Sequence, residues 1–422
     1  MGKSAKRGES MFPWQDLVAV IISRTLAMYF DPTFWTIMAL VIFQYWQMQR
    51  NQKRMFGVYS YSLKNQVFMA AVYGMIGGIL GSFILTLFGI TLNQLGLNYI
   101  WPVAIALMVI NLRFLCFAYA GGLIAVSNVL FGWPVVNVPQ VLALVAILHI
   151  TESVLIAISN RYGAIPLIVK KEDGRLVGAF NLQNFWPLPL VLLTAMAVPN
   201  GDLPAGIIKM PDWWPLIPAN LVLAEGERWI YATMPVVAAL GYADIAVASS
   251  PSKRRRQSAF HLAIYSVVLL GLALLAAKFE WVKIFAALAS PLGHEFLIQR
   301  DNRLEMEGKP LFVRPEIGVM VLDTVYDTPA RQAHLQPGDI ITRLNQFAIR
   351  WPHDLELALA DIPKECWLEY ERNGRVDKCL IKFTKGNTLG VILVPNGNET
   401  AYAELSTERF GIVDWAKRKL DL

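Results

Sequence analysis

Long apolar stretches with few charges are the feature that most limits the folds open to this chain. A helix needs about 20 apolar residues to span the hydrocarbon core of a membrane, and residues 67–90, 138–158, 229–248 and 258–277 reach or approach that length. Charged residues make up only 17% of the 422 residues, whereas soluble domains carry about 25%. These numbers exclude a wholly soluble enzyme and a disordered protein. We predict a polytopic α-helical membrane bundle.

Interrupted apolar segments raise the number of predicted spans. Asp31-Pro32 breaks a helix and divides the first apolar block in two. Residues 99–132 are too long for one span, and Arg113 in their middle predicts two short helices that meet there. Shorter apolar segments lie at 186–198, 213–224 and 281–292. We expect about eight to ten spans.

Basic residues lie in short clusters beside the apolar segments. The clusters are Lys3, Lys6 and Arg7, then Arg50, Lys53 and Arg54, and finally Lys253–Arg256. Such clusters mark the cytoplasmic ends of membrane spans and predict membrane lipid as a partner. The formal net charge of +6 is small for this length, so no nucleic-acid partner is expected. We predict a multi-pass protein of a bacterial cell membrane with its C-terminal part in the cytoplasm.

Residues 165–186 depart from the apolar pattern around them. Ile165–Val169 and Leu176–Phe180 are apolar segments of strand length on either side of Asp173-Gly174, a dipeptide typical of tight hairpin turns. This pattern predicts a small cytoplasmic β-hairpin between spans. An irregular polar loop is the alternative.

The composition changes at about residue 295. The transmembrane domain is therefore expected to cover 1–294, and the highly charged residues 295–311 read as a linker. We predict a small mixed α+β domain at residues 312–395 and a polar C-terminal tail at residues 396–422. The strands of that domain are predicted at 318–322, 340–344, 366–371 and 376–383, and its main helix at 353–360.

Three segments of this small domain resemble bacterial PDZ domains. They are Arg314–Val319, Thr328–Ala330 followed by Leu335–Ile341, and Asp354-Leu355. The resemblance implies that a peptide or C-terminal segment of a partner protein adds as a strand, with its carboxylate held by backbone amides. The residues implied for this groove are Arg314, Glu316, Ile317, Gly318, Val319, Met320, Val321, Leu355 and Leu359. The alternative is that the apolar members form the domain core and leave no groove.

Ionisable residues inside apolar segments are costly and need partners. His149 and Glu152 share one helix face, and together with Arg113 they form a predicted intramembrane polar network. This network is either structural or a proton or ion pathway of a transporter or sensor. His294-Glu295 begins a His-Glu-x-x-His zinc motif, but the motif ends in isoleucine. We therefore expect no metal site, no cofactor and no enzyme activity.

Small residues four apart predict a close-packing helix face. Gly74 and Gly78 form one such pair, and Gly77 and Gly81 form a second that overlaps it. Pairs of this kind let helices approach closely in membranes. They predict a compact bundle or a homo-oligomer.

Four stretches before the small domain carry a wider resemblance. They are Arg113–Gly122, Phe131–Pro134, His149–Ser153 and Pro291–Glu295. Together with that domain they resemble the MinJ-like family of PDZ-containing topological determinants of cell division in Gram-positive bacteria. The resemblance implies a membrane scaffold, at poles or septum, that links a DivIVA-type protein to the Min system through a MinD-type protein. The alternatives are a transporter or sensor that uses the polar network, and a protease-like membrane enzyme.

Overall fold

A computed structural model of the chain describes residues 11–159, 162–201, 207–219, 223–360, 364–383 and 388–404. The basic residues Lys3, Lys6 and Arg7 and most of the predicted tail lie outside these ranges. The helices described before residue 308 are α1 (Trp14–Met28), α2 (Pro32–Phe56), α3 (Leu63–Phe88), α4 (Leu97–Ile110), α5 (Phe117–Phe131), α6 (Val138–Ser159), α7 (Pro251–Ala276) and α8 (Val282–Glu307). The strands in this part are β1 (Ala164–Lys170), β2 (Leu176–Pro199) and β3 (Glu227–Ala246).

Three of the described helices, α3, α6 and α7, are long and apolar enough to cross a membrane. The predicted break at Asp31-Pro32 is present: α1 and α2 meet there at 66°, and this bent pair adds a fourth span if it is one broken span. The Asp31 side chain accepts a hydrogen bond from the Thr33 N–H at 2.7 Å and so caps α2. The shorter helices α4 and α5 flank Arg113 as predicted. The described residues thus provide several apolar helices but do not support eight to ten helical spans.

A long β-hairpin replaces two of the predicted spans. The prediction of membrane helices at 229–248 and 186–198 is wrong, because β2 and β3 pair antiparallel along the 20 residues of β3. At about 3.3 Å per residue the paired region is about 65 Å long. Pro187 and Pro189 explain why β2 is not helical, since two prolines in a helix interior would each remove a backbone hydrogen bond.

The predicted hairpin at 165–186 is present as the start of this larger sheet. β1 pairs antiparallel with β2, from Ala164–Leu182 to Lys170–Leu176. The short strand β10 (Ala403–Glu404) pairs in parallel with the other edge of β1. The sheet order is therefore β10-β1-β2-β3, and β3 forms one of its edges.

The glycine face of α3 packs against β2 rather than against another copy of the chain. A Cβ atom on Gly78 would lie 2.9 Å from Cδ of Pro189, and one on Gly77 would lie 2.7 Å from Cδ2 of Leu188. The glycines thus allow the close packing that the sequence predicted. This face is covered within one chain, so the glycine pairs support the compact bundle, and the homo-oligomer stays a prediction.

The charged residues 295–311 are not an extended linker, because α8 continues to Glu307. The buried Glu305 carboxylate accepts hydrogen bonds from the backbone N–H groups of Val247–Ser249 at 2.8 to 3.2 Å. Asp301, also buried, lies 2.8 Å from Nδ1 of His261 on α7. The end of α8 is therefore fixed to the chain between β3 and α7.

A second sheet, with its own hydrophobic core, follows α8. Its elements are β4 (Val319–Thr324), α9 (Pro329–Gln332), β5 (Ile340–Leu344), β6 (Phe347–Ala348), α10 (Pro352–Ala360), β7 (Glu365–Arg372), β8 (Arg375–Lys382) and β9 (Val391–Leu393). The strand order is β8-β7-β5-β4-β9, with β6 paired to β5. We call residues 312–395 the β-domain. The strands and the helix predicted here are confirmed. Across the β7–β8 hairpin, Cys366 opposes Ile381 and Cys379 opposes Leu368.

The β-domain packs directly on the first sheet. Phe312 and Leu322 are fully buried and belong to the same hydrophobic cluster as the helices and β2. The Gly178 N–H donates a hydrogen bond to the Phe312 carbonyl at 2.8 Å. On the other side, the Arg331 guanidinium lies 4.6 Å from the centre of the Tyr61 ring. These contacts fix how the β-domain sits on the membrane part.

Candidate functional site

The predicted peptide-binding strand lies inside its sheet. β4 pairs with β5 through Val319 and Ile341, and its other side pairs with β9 through Val321 and Leu393. A ligand strand can add only where backbone N–H and C=O groups are unpaired. The prediction that Val319–Val321 receives the ligand strand is therefore wrong.

Gly318 serves the local backbone rather than the approach of a ligand. Its φ of +89° is rarely adopted by residues with a side chain. A Cβ atom here would also lie 2.8 Å from the Ile341 carbonyl oxygen and 2.7 Å from Cγ2 of Ile340. Both observations require glycine at this position for the β4–β5 pairing.

The other predicted groove residues divide between core and surface. Val319, Val321 and Leu355 are buried in the core of the β-domain, as the alternative interpretation expected for apolar members. Leu359 packs against the same core and is only partly buried. Three residues of the predicted groove that precede Gly318 in the loop are exposed, namely Arg314, Glu316 and Ile317. The Arg314 guanidinium lies over the Trp351 ring at 4.4 Å.

The sheet edge beside these residues is β9. The Val394 N–H donates to the Met320 carbonyl at 3.0 Å. Because successive residues of a strand direct their hydrogen-bonding groups to opposite sides, the N–H of Leu393 points away from β4. A small cavity adjoins this edge and is lined in part by Leu393, Val394 and Pro352, and by the predicted residues Arg314, Gly318, Val319 and Met320. Four predicted residues thus line a cavity, but the exposed strand is β9, which the sequence prediction missed.

The predicted intramembrane network exists with different partners. Arg113 forms an ion pair with Glu295 at 2.8 Å rather than with Glu152. The Tyr119 hydroxyl donates to the other oxygen of the Glu295 carboxylate at 2.7 Å. Glu152 lies one turn further along α6 than His149. Glu295 and Tyr119 were missed because they come from α8 and α5, far from each other in the sequence.

A cluster of three potential metal ligands adjoins this network. Cys116 Sγ lies 3.2 Å from Nε2 of His149 and 3.9 Å from Nε2 of His294. All three ligand atoms lie within 4.8 Å of one another. The histidine spacing excluded a zinc motif on a single helix, but it did not address ligands from separate helices.

No family model matches the chain. The chain is 25% identical over 355 residues to the cell division topological determinant MinJ of Bacillus subtilis (strain 168). The aligned region covers 78% of this chain and 83% of that protein. A solved PDZ domain of the SdrC-like protein from Listeria monocytogenes is 23% identical, covers 19% of this chain and 90% of that domain, and has a TM-score of 0.17. The resemblance predicted from the sequence is confirmed: over most of its length the chain is similar to MinJ.

Proposed function

We propose that this chain is a non-enzymatic membrane scaffold that helps to place the cell-division site. The observation that carries the proposal is the similarity to a topological determinant of cell division across 78% of the chain. The apolar helices α3, α6 and α7 would hold the protein in a bacterial cell membrane. The scaffold would be enriched at the poles or the septum, with its β-domain in the cytoplasm.

The β-domain is the proposed recruiting module, acting as a PDZ-like domain. An extended segment of a partner would add to β9, where the Leu393 N–H points outward. Apolar contacts for this segment would come from three side chains that are only partly buried against the core of the β-domain. These are Val391 and Leu393 of β9 and Leu359 of α10. The family resemblance proposes DivIVA-type and MinD-type proteins as partners.

A transporter role gains less support from the polar network. The two ring nitrogens of His149 are engaged, with Nδ1 2.7 Å from the Val145 carbonyl and Nε2 3.2 Å from the Cys116 thiol. Arg113 is paired with Glu295. A network with these partners fits a structural role better than proton or ion passage.

Proline substitution at the free edge tests the recruiting role in the full-length chain. Leu393→Pro removes one outward N–H and leaves the hydrogen bonds of β9 to β4 in place. Val376→Pro is the matched control, because it removes an outward N–H from β8, the strand at the opposite edge of the sheet. Arg372 and Arg375 pair at the end of a two-residue hairpin turn, so the next N–H along β8, that of Val376, points away from β7. One lost hydrogen bond plus the clash of the proline ring is expected to weaken capture by about tenfold or more.

The readout is co-purification of DivIVA-type and MinD-type proteins from cells, together with placement at the septum. Leu393→Pro should lose both while the protein remains in the membrane, and Val376→Pro should keep both. Hydrogen exchange of β5 and β7 checks that each variant is folded. Full recruitment by a folded Leu393→Pro chain would contradict the proposed use of β9.

A further inference from the structure

We propose that Cys116, His149 and His294 bind one zinc ion that joins α5, α6 and α8. A thiolate and two imidazoles form a ligand set suited to zinc. Cys116 is at the start of α5, and the two histidines are at the middle of α6 and α8. The site would therefore connect three helices that are distant in the sequence.

The distances between the ligand atoms match a single tetrahedral ion. Zinc lies about 2.3 Å from a thiolate sulfur and about 2.0–2.1 Å from an imidazole nitrogen, which places sulfur and nitrogen about 3.6 Å apart. The two Cys116–histidine distances of 3.2 and 3.9 Å lie on either side of this value. One ion can therefore contact Cys116 and either histidine after shifts of a few tenths of an ångström. The two Nε2 atoms lie within 4.8 Å of each other, and on one ion they would be about 3.4 Å apart.

Hydrogen bonding orients one imidazole for metal binding. Nδ1 of His149 lies 2.7 Å from the Val145 carbonyl, an acceptor, so this nitrogen carries the proton. The lone pair of Nε2 is then directed at Cys116. A backbone or carboxylate partner on the far nitrogen is usual for histidines that bind zinc. Nδ1 of His294 is buried and has no hydrogen-bond partner among the described residues, which leaves that ring to be fixed by a ligand on Nε2.

Close helix packing holds the three ligands together without metal. A Cβ atom on Gly121 would lie 3.2 Å from Cγ2 of Val145, so α5 and α6 are in tight contact. The Ser290 hydroxyl donates to the Ala118 carbonyl at 2.8 Å and ties α8 to α5. The Tyr265 hydroxyl donates to the Ser290 carbonyl at 2.7 Å. This rigid surround reduces the ordering that metal binding would otherwise require.

A tetrahedral zinc ion at this site would need one further ligand. The described residues supply three ligands and no fourth within the same group. Zinc with one thiolate and two neutral imidazoles keeps a charge of +1, and the acidic residue Glu152 lies one turn beyond His149 on α6. A water molecule would complete the tetrahedron.

The test uses the full-length protein in detergent, with its affinity tag removed and its metals stripped by a chelator. After dialysis against zinc, elemental analysis should find one zinc per chain. Cys116→Ala, His149→Ala and His294→Ala should each lower zinc affinity by about 10-fold or more. The matched controls are Cys379→Ala and His353→Gln in the β-domain, which should bind like the unchanged protein.

Cobalt(II) provides a measurement that does not depend on the variants folding. The unchanged protein loaded with cobalt should show a thiolate-to-cobalt charge-transfer band and the strong visible bands of tetrahedral cobalt. Absence of the charge-transfer band would overturn the proposal. Equal zinc binding by the unchanged chain and by folded ligand variants would overturn it too, as would binding of copper(I) with no binding of zinc.

Discussion

Gly318→Ala should destabilise the β-domain far more than a methyl group on an open glycine would. Two costs add at this position. The φ of +89° disfavours a residue with a side chain, by about 1–2 kcal/mol. The new Cβ atom would lie 2.8 Å from the Ile341 carbonyl oxygen, and overpacking of this kind costs about 1–3 kcal/mol. The expected loss is therefore about 2–5 kcal/mol.

Gly338→Ala separates these two costs. Gly338 has a similar φ of +94°, but a Cβ atom there would meet nothing within 4 Å. This variant should lose only the conformational part, about 1–2 kcal/mol. The difference between the two variants then measures the clash with Ile341.

The assay is denaturant-dependent hydrogen exchange of β4 and β5 amides in the full-length chain, which reports the free energy of unfolding of the β-domain. Equal losses in Gly318→Ala and Gly338→Ala would refute the steric argument. A fully stable Gly318→Ala chain that no longer captures partners would restore the role in ligand approach that the PDZ resemblance implied.

Three further predictions concern charges and topology. Glu305→Gln should lower the free energy of unfolding by about 1–3 kcal/mol, because three backbone N–H groups lose a charged acceptor. Glu307→Gln, which removes a charge from an exposed ion pair, should change this free energy little. Thermal unfolding of both variants measures the difference. Two backbone N–H groups lower the pKa of Asp354 below its ordinary value of 3.8. The stability that this carboxylate gives to the start of α10 is therefore present above pH 3.8 and is lost as the pH falls through the lowered pKa. An NMR pH titration of selectively labelled tryptophan amides should show this change, and Asp354→Asn should abolish it. Lys253→Cys and Arg375→Cys, in a chain without other cysteines, should both react with an impermeant maleimide from the cytoplasmic side. Lys253 is in the first turn of α7, and the β-domain follows the end of α8, which lies beside the start of α7. Labelling from opposite sides would contradict the arrangement.

The β-domain was the most predictable part because its signals are local. Asn373-Gly374, a dipeptide typical of two-residue hairpin turns, lies between the two strands predicted at 366–371 and 376–383, and it joins β7 to β8. The assignment of the exposed edge failed because it depends on β9, which returns from about 70 residues away in sequence to cover β4. Short-range motifs carry no information about such a pairing.

The membrane part was less predictable for two different reasons. An apolar run of 20 residues such as 229–248 suits a helix and a buried strand equally well, although Pro187 and Pro189 at a spacing of two were a signal against a helix in its partner. The cluster of Cys116, His149 and His294 gave no signal, since its ligand pairs are 33 and 178 residues apart. Only the packing of three helices brings them together.

The hydrogen bond between Gly178 and Phe312 has a consequence for any partner that is itself bound to the membrane. Because the β-domain packs on the first sheet, these contacts fix the position of β9 relative to the apolar helices. A partner recruited as proposed would therefore bridge the distance between the membrane and β9 with its own linker. Shortening the linker below the required span would abolish capture on a membrane, while the same segment supplied as a free peptide would still bind.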